Sequence, residues 1–300
     1  MFNKGWIIFK YTCSCNIDFM LNKSFSIYSS EGDAIADIDD RLVLEVGKTH
    51  IACIKKEGNK RISAFELFNF TENEAADFTS LFKTISADSK LFNKAYPATH
   101  VFINNESSML VPVFNFNTEI AADYLNVIFG EDPFSKVQFE HLPIEPGMMN
   151  LFRVPEELMT VLQHNLTQVT FEHTYSNVVK LVASDISEFP SGCIYIQFYN
   201  TFIIVTVVKN GKLQIIQSFI YETKEDVIYY LLNLTRLFEL NTVDLSIQIS
   251  GLIDLDLTLY KELIAYFKHV EVQNVNKSAL LLDIKEHPLH YFTPFFNLSL

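Results

Sequence analysis

The stretch from Cys193 to Ile253 carries the clearest pattern of hydrophobic and polar positions in the chain. Side chains alternate in polarity through Ile194–Phe198, with the period of two that is typical of a strand. Thr201–Val208 is rich in β-branched residues, which predicts a strand buried on both faces. Asn210-Gly211 then predicts a two-residue hairpin turn, because both turn residues need positive φ, and Leu213–Tyr221 predicts the returning strand.

A helix and a fourth strand are predicted after this hairpin. Thr223 is followed three residues later by Asp226, which resembles a capping box and predicts that a helix begins there. Apolar residues recur at helical spacing as far as Phe238. Leu245–Ile249 then predicts a strand that ends at Ser250-Gly251.

The same order of elements recurs 152 residues earlier, between Leu42 and Ile103. At this offset the turn dipeptide Gly58-Asn59 corresponds to the hairpin turn described above. Thr71-Glu72-Asn73-Glu74 is a complete capping box and corresponds to the later helix start. Because one offset aligns strand, turn, cap and helix together, we predict two copies of one α/β module.

The length of the chain suits this duplication. Three hundred residues give each half enough sequence for a core of its own. We predict an N-terminal extension at residues 1–24, a first module at 25–190 and a second module at 191–300. The content of 49% hydrophobic and 14% aromatic residues is typical of a folded globular chain.

The rest of the chain predicts short strands and helices around the two repeated stretches. Strands are predicted at 137–142, 149–154, 169–172 and 270–272, and helices at 72–85, 118–129, 155–164, 175–185 and 255–267; residues 110–113 are a short apolar segment. Residues 21–40 are mixed polar, and the acidic run at their end, Asp37–Asp40, is interpreted as a solvated loop. The aromatic tail Tyr291–Phe296 is predicted to pack onto its own domain rather than onto a partner.

Charge and cysteine content narrow the function classes. The net charge of −13 argues against a nucleic-acid partner, because the phosphate backbone binds basic surfaces. The densest basic cluster, Lys55–Arg61, is interpreted as solvated residues around a hairpin turn. No apolar run approaches the roughly 20 residues of a membrane-spanning helix. Cys53 and Cys193 are predicted to be buried thiols, and no disulfide framework is evident, so we predict a reduced, cytoplasmic protein.

Residues 1–20 fit none of these elements. Lys4 and Lys10 flank Trp6–Phe9, an apolar run too short for a signal peptide. Cys13-Ser14-Cys15 is a candidate metal pair without further ligands. We hypothesise that translation starts at Met20, which the intact mass of the natively expressed protein would test.

Four segments carry hydrophobic patterns that resemble an uncharacterised bacterial family, recorded as a domain of unknown function: Leu42–Phe70, Met109–Phe116, Asn150–Val154 and His287–Phe292. The resemblance implies the ribonuclease-H-like module. In duplicate this module makes the actin-like ATPase fold of actin, sugar kinases, heat-shock 70 proteins and pilus-assembly ATPases. The expected fold class is therefore α/β, with two ribonuclease-H-like modules in tandem and mixed sheets flanked by helices.

The resemblance also implies where a nucleotide would bind. In actin-like ATPases a turn of the Asp-x-Gly-Thr type in each half brings backbone N–H groups to phosphate and a carboxylate to Mg²⁺. The first half has Glu45-Val46-Gly47-Lys48-Thr49, which keeps a carboxylate, the glycine and the threonine. The second half has Gln197-Phe198-Tyr199-Asn200-Thr201, without the acid or the glycine. The adenosine-binding Gly-Gly is reduced to Ser250-Gly251-Leu252.

Other chemistry of this fold finds little support in the sequence. Nuclease activity needs several acids around two metal ions, but Glu45 corresponds to Gln197 in the other half and Glu106 is predicted to lie in a loop. His287 and His290 are spaced like metal ligands, yet a proline lies between them and no third ligand is evident. No Ser/His/Asp, Cys/His, P-loop or dinucleotide-binding signature is present in the sequence.

The sequence therefore predicts a catalytically degenerate actin-like fold that acts as an interaction scaffold for an unidentified protein partner. It is predicted not to be an enzyme and to have no catalytic, cofactor-binding or metal-binding residues. The alternative is an ATP-binding protein that uses the half-kept phosphate turn of Glu45, Gly47, Lys48 and Thr49. A third interpretation, docking to a membrane machine as pilus ATPases do, rests on fold analogy.

Overall fold

The computed structural model describes residues 21–29, 39–58, 61–142, 144, 146–185 and 189–300. The candidate metal pair Cys13 and Cys15 and the hypothetical start at Met20 lie outside these residues. Asn59 of the first hairpin turn and Asp37 of the acidic run lie outside them as well. These expectations therefore stay predictions.

The described residues form strands and helices in an order close to the predicted one. The strands are β1 (Asn22–Tyr28), β2 (Arg41–Gly47), β3 (His50–Lys56), β4 (Ile62–Asn69), β5 (Ala98–Asn104), β6 (Ser108–Pro112), β7 (Ser135–Leu142), β8 (Met148–Pro155), β9 (Val169–His173), β10 (Cys193–Phe198), β11 (Phe202–Lys209), β12 (Lys212–Ile220), β13 (Ser246–Gly251) and β14 (His269–Val272). The α-helices are α1 (Glu72–Ala75), α2 (Phe78–Asp88), α3 (Ala121–Phe129), α4 (Glu156–Asn165), α5 (Thr174–Asp185), α6 (Lys224–Leu237), α7 (Thr258–Tyr266) and α8 (Thr293–Asn297). In this part of the chain, no helix is both long enough and apolar enough to span a membrane.

The strands form three sheets. The first has the order β1-β4-β3-β2-β5-β9 and the second β12-β11-β10-β13-β14. In both, three consecutive strands are antiparallel neighbours, and the first of them, β2 or β10, also pairs in parallel with the strand that follows the next helices, β5 or β13. The third sheet, β6-β8-β7, is antiparallel. The fold class is α/β with mixed sheets flanked by helices, as predicted.

The local turn and cap signals are confirmed. Asn210 and Gly211 both have positive φ, 52° and 67°, as a two-residue hairpin turn requires. Thr223 and Asp226 form a reciprocal capping box at the start of α6. Thr71 forms the corresponding box before α1. These signals depend only on neighbouring residues, which is why the sequence predicts them.

The prediction of one continuous helix at residues 72–85 is wrong, because two helices occupy that stretch. α1 ends at Ala75, and the side chain of Asp77 accepts a hydrogen bond from the backbone N–H of Ser80 at 2.9 Å. Asp77 therefore caps a second helix, α2. Phe78 and Phe82 lie on the buried face of α2, as the apolar spacing predicts.

No strand is predicted within residues 21–40, but Asn22–Tyr28 forms the edge strand β1 on β4. Lys23 on this strand lies 2.9 Å from the buried carboxylate of Glu66, and Tyr28 donates to the same carboxylate. Burial alone would raise the pKa of Glu66, but hydrogen bonds from Ser89, Tyr28 and Lys23 outweigh it and lower that pKa. These polar contacts hold β1 in place together with Phe25 and Ile27, which pack against the hydrophobic core.

Two charged residues that were interpreted as solvated are buried instead. Asp40 closes the acidic run, and its carboxylate lies 3.0 Å from the Nζ of Lys55 on β3. Both side chains are buried, and Glu57 lies 3.4 Å from the same Nζ. The ion pair compensates for the burial of each charge.

The outward face of each large sheet is covered by helices of the same half. Leu42, Leu44 and Val46 of β2 pack with α2 and α4. Ile194, Ile196 and Phe198 of β10 pack with α6 and α7. Because side chains alternate across a strand, the residues between these positions face the opposite way, toward the other large sheet.

The inward faces of the two large sheets share one hydrophobic core with α5 and the aromatic tail. Its members include Val43, Ile54 and Phe65 of the first sheet, Tyr195, Ile204 and Val208 of the second sheet, Val178 of α5 and the tail residues Phe292, Phe295 and Phe296. The Phe295 ring centroid lies 5.5 Å from that of Phe65 and 5.6 Å from that of Tyr199. The tail therefore packs back onto its own chain, as predicted, but it contacts the first large sheet as well as the second.

Candidate functional site

The half-kept phosphate turn lies at the end of β2, where the two large sheets face each other. Glu45 is fully buried, and its side chain points toward the second sheet, away from the helices that cover Val46. An acid within the apolar run Leu42–Val46 is a sequence signal for a buried charge, which needs compensating partners. The structure supplies those partners.

Four side chains surround the Glu45 carboxylate. The Nδ2 of Asn104, the hydroxyl of Thr174 and the hydroxyl of Tyr199 each lie 2.9 Å from Oε1, to which they donate hydrogen bonds. The Nε2 of His50 lies 3.2 Å from Oε2. Three donors occupy the lone-pair directions of Oε1, so this oxygen is not open to a metal ion. Sequence analysis identified Glu45 and Tyr199 but missed Asn104, Thr174 and His50, which approach only through the tertiary fold.

Tyr199 is the partner that comes from the second sheet. It follows β10 directly and is buried, and its ring stacks on Phe202 with centroids 4.5 Å apart and an interplanar angle of 7°. The His50 ring lies 5.3 Å away on the first sheet. Burial and the adjacent carboxylate of Glu45 raise the pKa of Tyr199, so the phenol stays protonated and donates to Glu45.

Very little space remains between the two turns. The cavity bounded by Thr49, His50, Tyr199, Asn200 and neighbouring side chains has a volume of about 10 Å³. This is about the space that one water molecule needs, whereas small-molecule sites commonly enclose about 300–1,000 Å³. The side chain of Asn200 also bridges the sheets, with its Nδ2 3.0 Å from Oδ1 of Asn69. The gap where an actin-like ATPase would hold nucleotide is filled.

The other residues of the first turn have structural contacts of their own. A Cβ on Gly47 would lie 2.2 Å from Cε1 of His50, so the close packing of the histidine ring accounts for this glycine. Lys48 is half-exposed and pairs with Glu106. The carbonyl oxygen of Thr49 accepts a hydrogen bond from the Phe70 N–H at 3.0 Å. A Gly47 substitution is therefore a poor test of nucleotide binding, because it would disturb the packing of His50. A substitution of the half-exposed Lys48 tests nucleotide binding without this clash.

Gly251, the remnant of the adenosine motif, is required by the second sheet itself. Its φ is +91°, and a Cβ there would lie 2.2 Å from the carbonyl oxygen of Phe198 on β10. Gln197, the counterpart of Glu45, is largely buried on β10.

The remaining candidate ligands lie apart from one another. Glu106 pairs with Lys48, as described above. The Nε2 of His290 donates to the carbonyl oxygen of Ile253 at 2.9 Å, and the ring of His287 packs edge-on against Phe25 at 5.0 Å. Among the described residues, no group of three His, Cys, Asp or Glu side chains is placed to hold a metal ion.

A larger cavity of about 310 Å³ lies on the helix-covered side of β2. Gly47 and Lys48 form part of its wall, together with Glu72 and Ala75 of α1 and Glu157 of α4. The Glu45 carboxylate points to the opposite face of the sheet. A ligand in this cavity would therefore meet the Lys48 side chain without reaching Glu45.

Comparison with known proteins assigns the family. Residues 31–270 match the family model described as "Protein of unknown function (DUF3822)". The chain belongs to the DUF3822 family. No curated protein is significantly similar in sequence to this DUF3822 chain.

Two solved structures show the fold of this DUF3822 chain. One is a protein of unknown function with an actin-like ATPase fold from Bacteroides thetaiotaomicron, with a TM-score of 0.69 and 16% identity over 81% of this chain and 95% of that chain. The other is a PilM–PilN type IV pilus biogenesis complex, with a TM-score of 0.55 and 12% identity over 86% of this chain and 96% of that chain. The DUF3822 chain therefore has the actin-like ATPase fold.

Proposed function

We propose that this protein is a catalytically inactive actin-like fold that acts as an interaction scaffold for a protein partner. The observation that carries the proposal is the 2.9 Å hydrogen bond from the Tyr199 hydroxyl to Glu45. It joins the two turns that would face a nucleotide, with about 10 Å³ left between them. A nucleotide fits between these turns only if the two sheets separate.

The energetics of separation support a permanently closed state. Opening would expose the shared core around Phe65 and Phe295. It would also break the hydrogen bond from Tyr199 to the buried carboxylate of Glu45, and loss of one donor to a buried acceptor typically costs about 1–3 kcal/mol. A scaffold needs no such opening, because it binds through its outer surface.

A protein partner is also supported by one structural neighbour. PilM has a similar fold and forms a complex with PilN. At 12% identity we take from this neighbour only the class of partner, a protein. The cytoplasmic location, the internal duplication and the modules at 25–190 and 191–300 are parts of the same proposal. Docking to a membrane machine would be one form of it.

A nucleotide-binding function is the second candidate, favoured by the cavity of about 310 Å³ beside Gly47 and Lys48. Its volume is at the lower end of the range for small-molecule sites. Because Glu45 points away from this cavity, it would not hold Mg²⁺ for a ligand there. The candidate thus becomes binding through Lys48 without the metal-bound arrangement of an ATPase.

Thermal unfolding with and without ATP and Mg²⁺ separates the two candidates. A ligand at about 100 times its Kd adds about 2.7 kcal/mol to the free energy of unfolding, which raises the midpoint by several degrees. We expect no rise up to millimolar ATP.

Lys48→Ala and Lys83→Ala are the matched variants for this test, because both lysines are exposed and Lys83 lies on the outer face of α2. A midpoint rise that is lost in Lys48→Ala and kept in Lys83→Ala would overturn the scaffold proposal. It would place a nucleotide in the cavity beside Lys48.

A further inference from the structure

The third sheet and α3 form a small layer that buries only one side of its helix. Ala121 and Leu125 of α3 pack over Val111 of β6 and Leu151 of β8. Val127 on the opposite side of α3 and Ile128 near its C-terminal end are exposed. Two large apolar side chains of this short helix therefore stay uncovered.

Other exposed apolar side chains lie before and after this helix in the chain. We define the α3 surface as six large apolar residues that are exposed within 22 consecutive positions: Val113, Phe114, Ile120, Val127, Ile128 and Phe134. Val127 is 86% exposed, and Phe114 and Phe134 are each 80% exposed. Single exposed apolar residues are ordinary on a protein surface, but such a concentration marks an interaction site.

Hydrogen bonds fix the turn and the helix that carry the surface. The hydroxyl of Tyr124 donates to the carbonyl oxygen of Asn115, which holds the 113–115 turn beside α3. The buried guanidinium of Arg153 on β8 donates to Oδ1 of Asn126 at 2.7 Å and to the carbonyl oxygen of Gly130. These bonds tie the middle of α3 to the turn and its C-terminal half to β8, so the apolar side chains are presented on a rigid support.

The charge of the surface decides what covers it. Glu119, Asp123, Glu131 and Asp132 lie among the six apolar residues, and no Lys, Arg or His occurs between Met109 and Ser135. A second copy of the same surface would bring four acids against four acids. An anionic membrane would be repelled by the same acids. A basic partner is attracted by them.

We propose that the α3 surface binds an amphipathic helix of a partner protein, in which apolar side chains are flanked by Lys and Arg. Three of the six residues, Ile120 at the N-cap, Val127 and Ile128, are presented by α3, so another helix packed along α3 is the fitting occupant. The inference rests on the proposed scaffold function and gives its partner a chemistry and a docking site.

The test uses two labelled synthetic peptides of about 18 residues, long enough to form a helix. One has Leu and Lys at helical spacing, and the other has Glu in place of every Lys. Fluorescence anisotropy with the full chain is expected to show binding of the Lys peptide and none of the Glu peptide.

Val127→Lys and Val243→Lys are the matched variants for this measurement. Both residues are exposed, and the two substitutions change the net charge equally, but Val243 lies in the loop before β13. We expect Val127→Lys to weaken binding of the Lys peptide at least tenfold, and Val243→Lys to leave it within about twofold. Equal losses in both variants would mean general charge attraction and would overturn the proposal, as would absence of binding or equal binding of both peptides.

Three measurements test the other occupants. Sedimentation that shows a dimer lost in Val127→Lys would assign the surface to a second copy. Co-sedimentation with phosphatidylserine vesicles, again lost in Val127→Lys, would assign it to a membrane. Trp6 is the only tryptophan, so a red shift of its emission in Val127→Lys would assign the surface to the chain's own N-terminal segment. Each result would overturn the partner helix.

Failure of this inference is distinguishable from failure of the proposed function. If neither peptide binds and ATP causes no thermal shift, the scaffold proposal stands and the α3 surface is the wrong docking site. If ATP binds through Lys48, the scaffold proposal fails whatever the peptides do.

Discussion

The hydroxyl of Tyr199 lies 2.9 Å from Oε1 of Glu45, so one hydrogen bond joins the two turns that flank the nucleotide in an active actin-like ATPase. The tyrosine stands where close approach of backbone to phosphate calls for a small residue. The glutamate stands where an acid would reach a metal ion. In the proposed scaffold, each residue explains why the other does not serve a nucleotide, and the pair forms a core contact in place of a binding cleft.

Tyr199→Phe is expected to destabilise the protein without opening a nucleotide site. The substitution keeps the stack on Phe202 and removes one donor from a buried carboxylate, a loss worth about 1–3 kcal/mol of the free energy of unfolding. Urea denaturation measures this loss. Tyr266→Phe is the control, since Tyr266 is half-exposed on α7 and its substitution should change stability by less than about 0.5 kcal/mol. Equal stability of the two variants would contradict a stabilising role for the hydroxyl.

Phe295→Ala is expected to weaken both large sheets, because its ring packs between Phe65 of the first and Tyr199 of the second. Loss of a buried phenylalanine typically costs about 3–5 kcal/mol. Hydrogen exchange should accelerate in β3 and β4 as well as in β10 and β11.

Leu300→Ala truncates a half-exposed residue near the same chain end and should leave exchange almost unchanged. Faster exchange confined to the second sheet in Phe295→Ala would show that the tail stabilises its own half alone.

The parts of the fold that the sequence predicts are those with a local cause. The hairpin at Asn210-Gly211, the capping boxes at Thr71 and Thr223 and the alternating strand β10 each depend on residues close in sequence. The edge strand β1 was missed because its partners lie far away in sequence: Lys23 pairs with Glu66, 43 positions later, and Phe25 packs on Phe292. The break before α2 was missed because an apolar stripe continues across it.

Only the local part of the site could be predicted from the sequence. The residue types of Gln197 and Tyr199 show that the second turn lacks the acid and the glycine of the motif. The hydrogen bonds to Glu45 could not be predicted, because Thr174 lies 129 positions away and reaches Glu45 only when the first sheet packs on α5. The α3 surface could not be predicted from the periodicity of apolar residues, because the exposure of Val127 and Phe134 depends on which neighbours the tertiary fold provides.

The Asp40–Lys55 ion pair predicts a non-additive pair of substitutions. Lys55→Met removes the ammonium group that lies 3.0 Å from the buried carboxylate of Asp40 and should cost about 3–5 kcal/mol. Adding Asp40→Leu removes the buried carboxylate as well, so the double variant should be at least as stable as Lys55→Met alone. Urea denaturation of the wild type, both single variants and the double variant measures the coupling.

The exposed pair Lys285–Asp283 is the control for this cycle, and Lys285→Met should change stability by less than about 0.5 kcal/mol. Additive losses at Asp40 and Lys55 would show that the two charges are buried independently.

His173 predicts a pH dependence of stability. Its ring is buried, Nε2 donates to the carbonyl oxygen of Asn105 at 3.1 Å, and Nδ1 accepts from the Tyr175 N–H at 3.1 Å. A proton on Nδ1 would face that N–H donor. Burial lowers the pKa of His173 to about 3, and the hydrogen bond to Asn105 opposes this only in part.

In the unfolded chain the pKa of this histidine is about 6.5, so between about pH 6.5 and the folded pKa the unfolded state binds one proton more. His173 therefore reduces the free energy of unfolding by about 1.4 kcal/mol for each pH unit below about pH 6.5, and has no such effect above about pH 6.5.

His173→Gln should make the slope of the free energy of unfolding against pH shallower by this amount between about pH 6 and about pH 4. His164→Gln, at an exposed position of α4, should keep the wild-type slope. Urea denaturation at several pH values measures both slopes, and parallel curves for wild type and His173→Gln would show that His173 takes up its proton in the folded state.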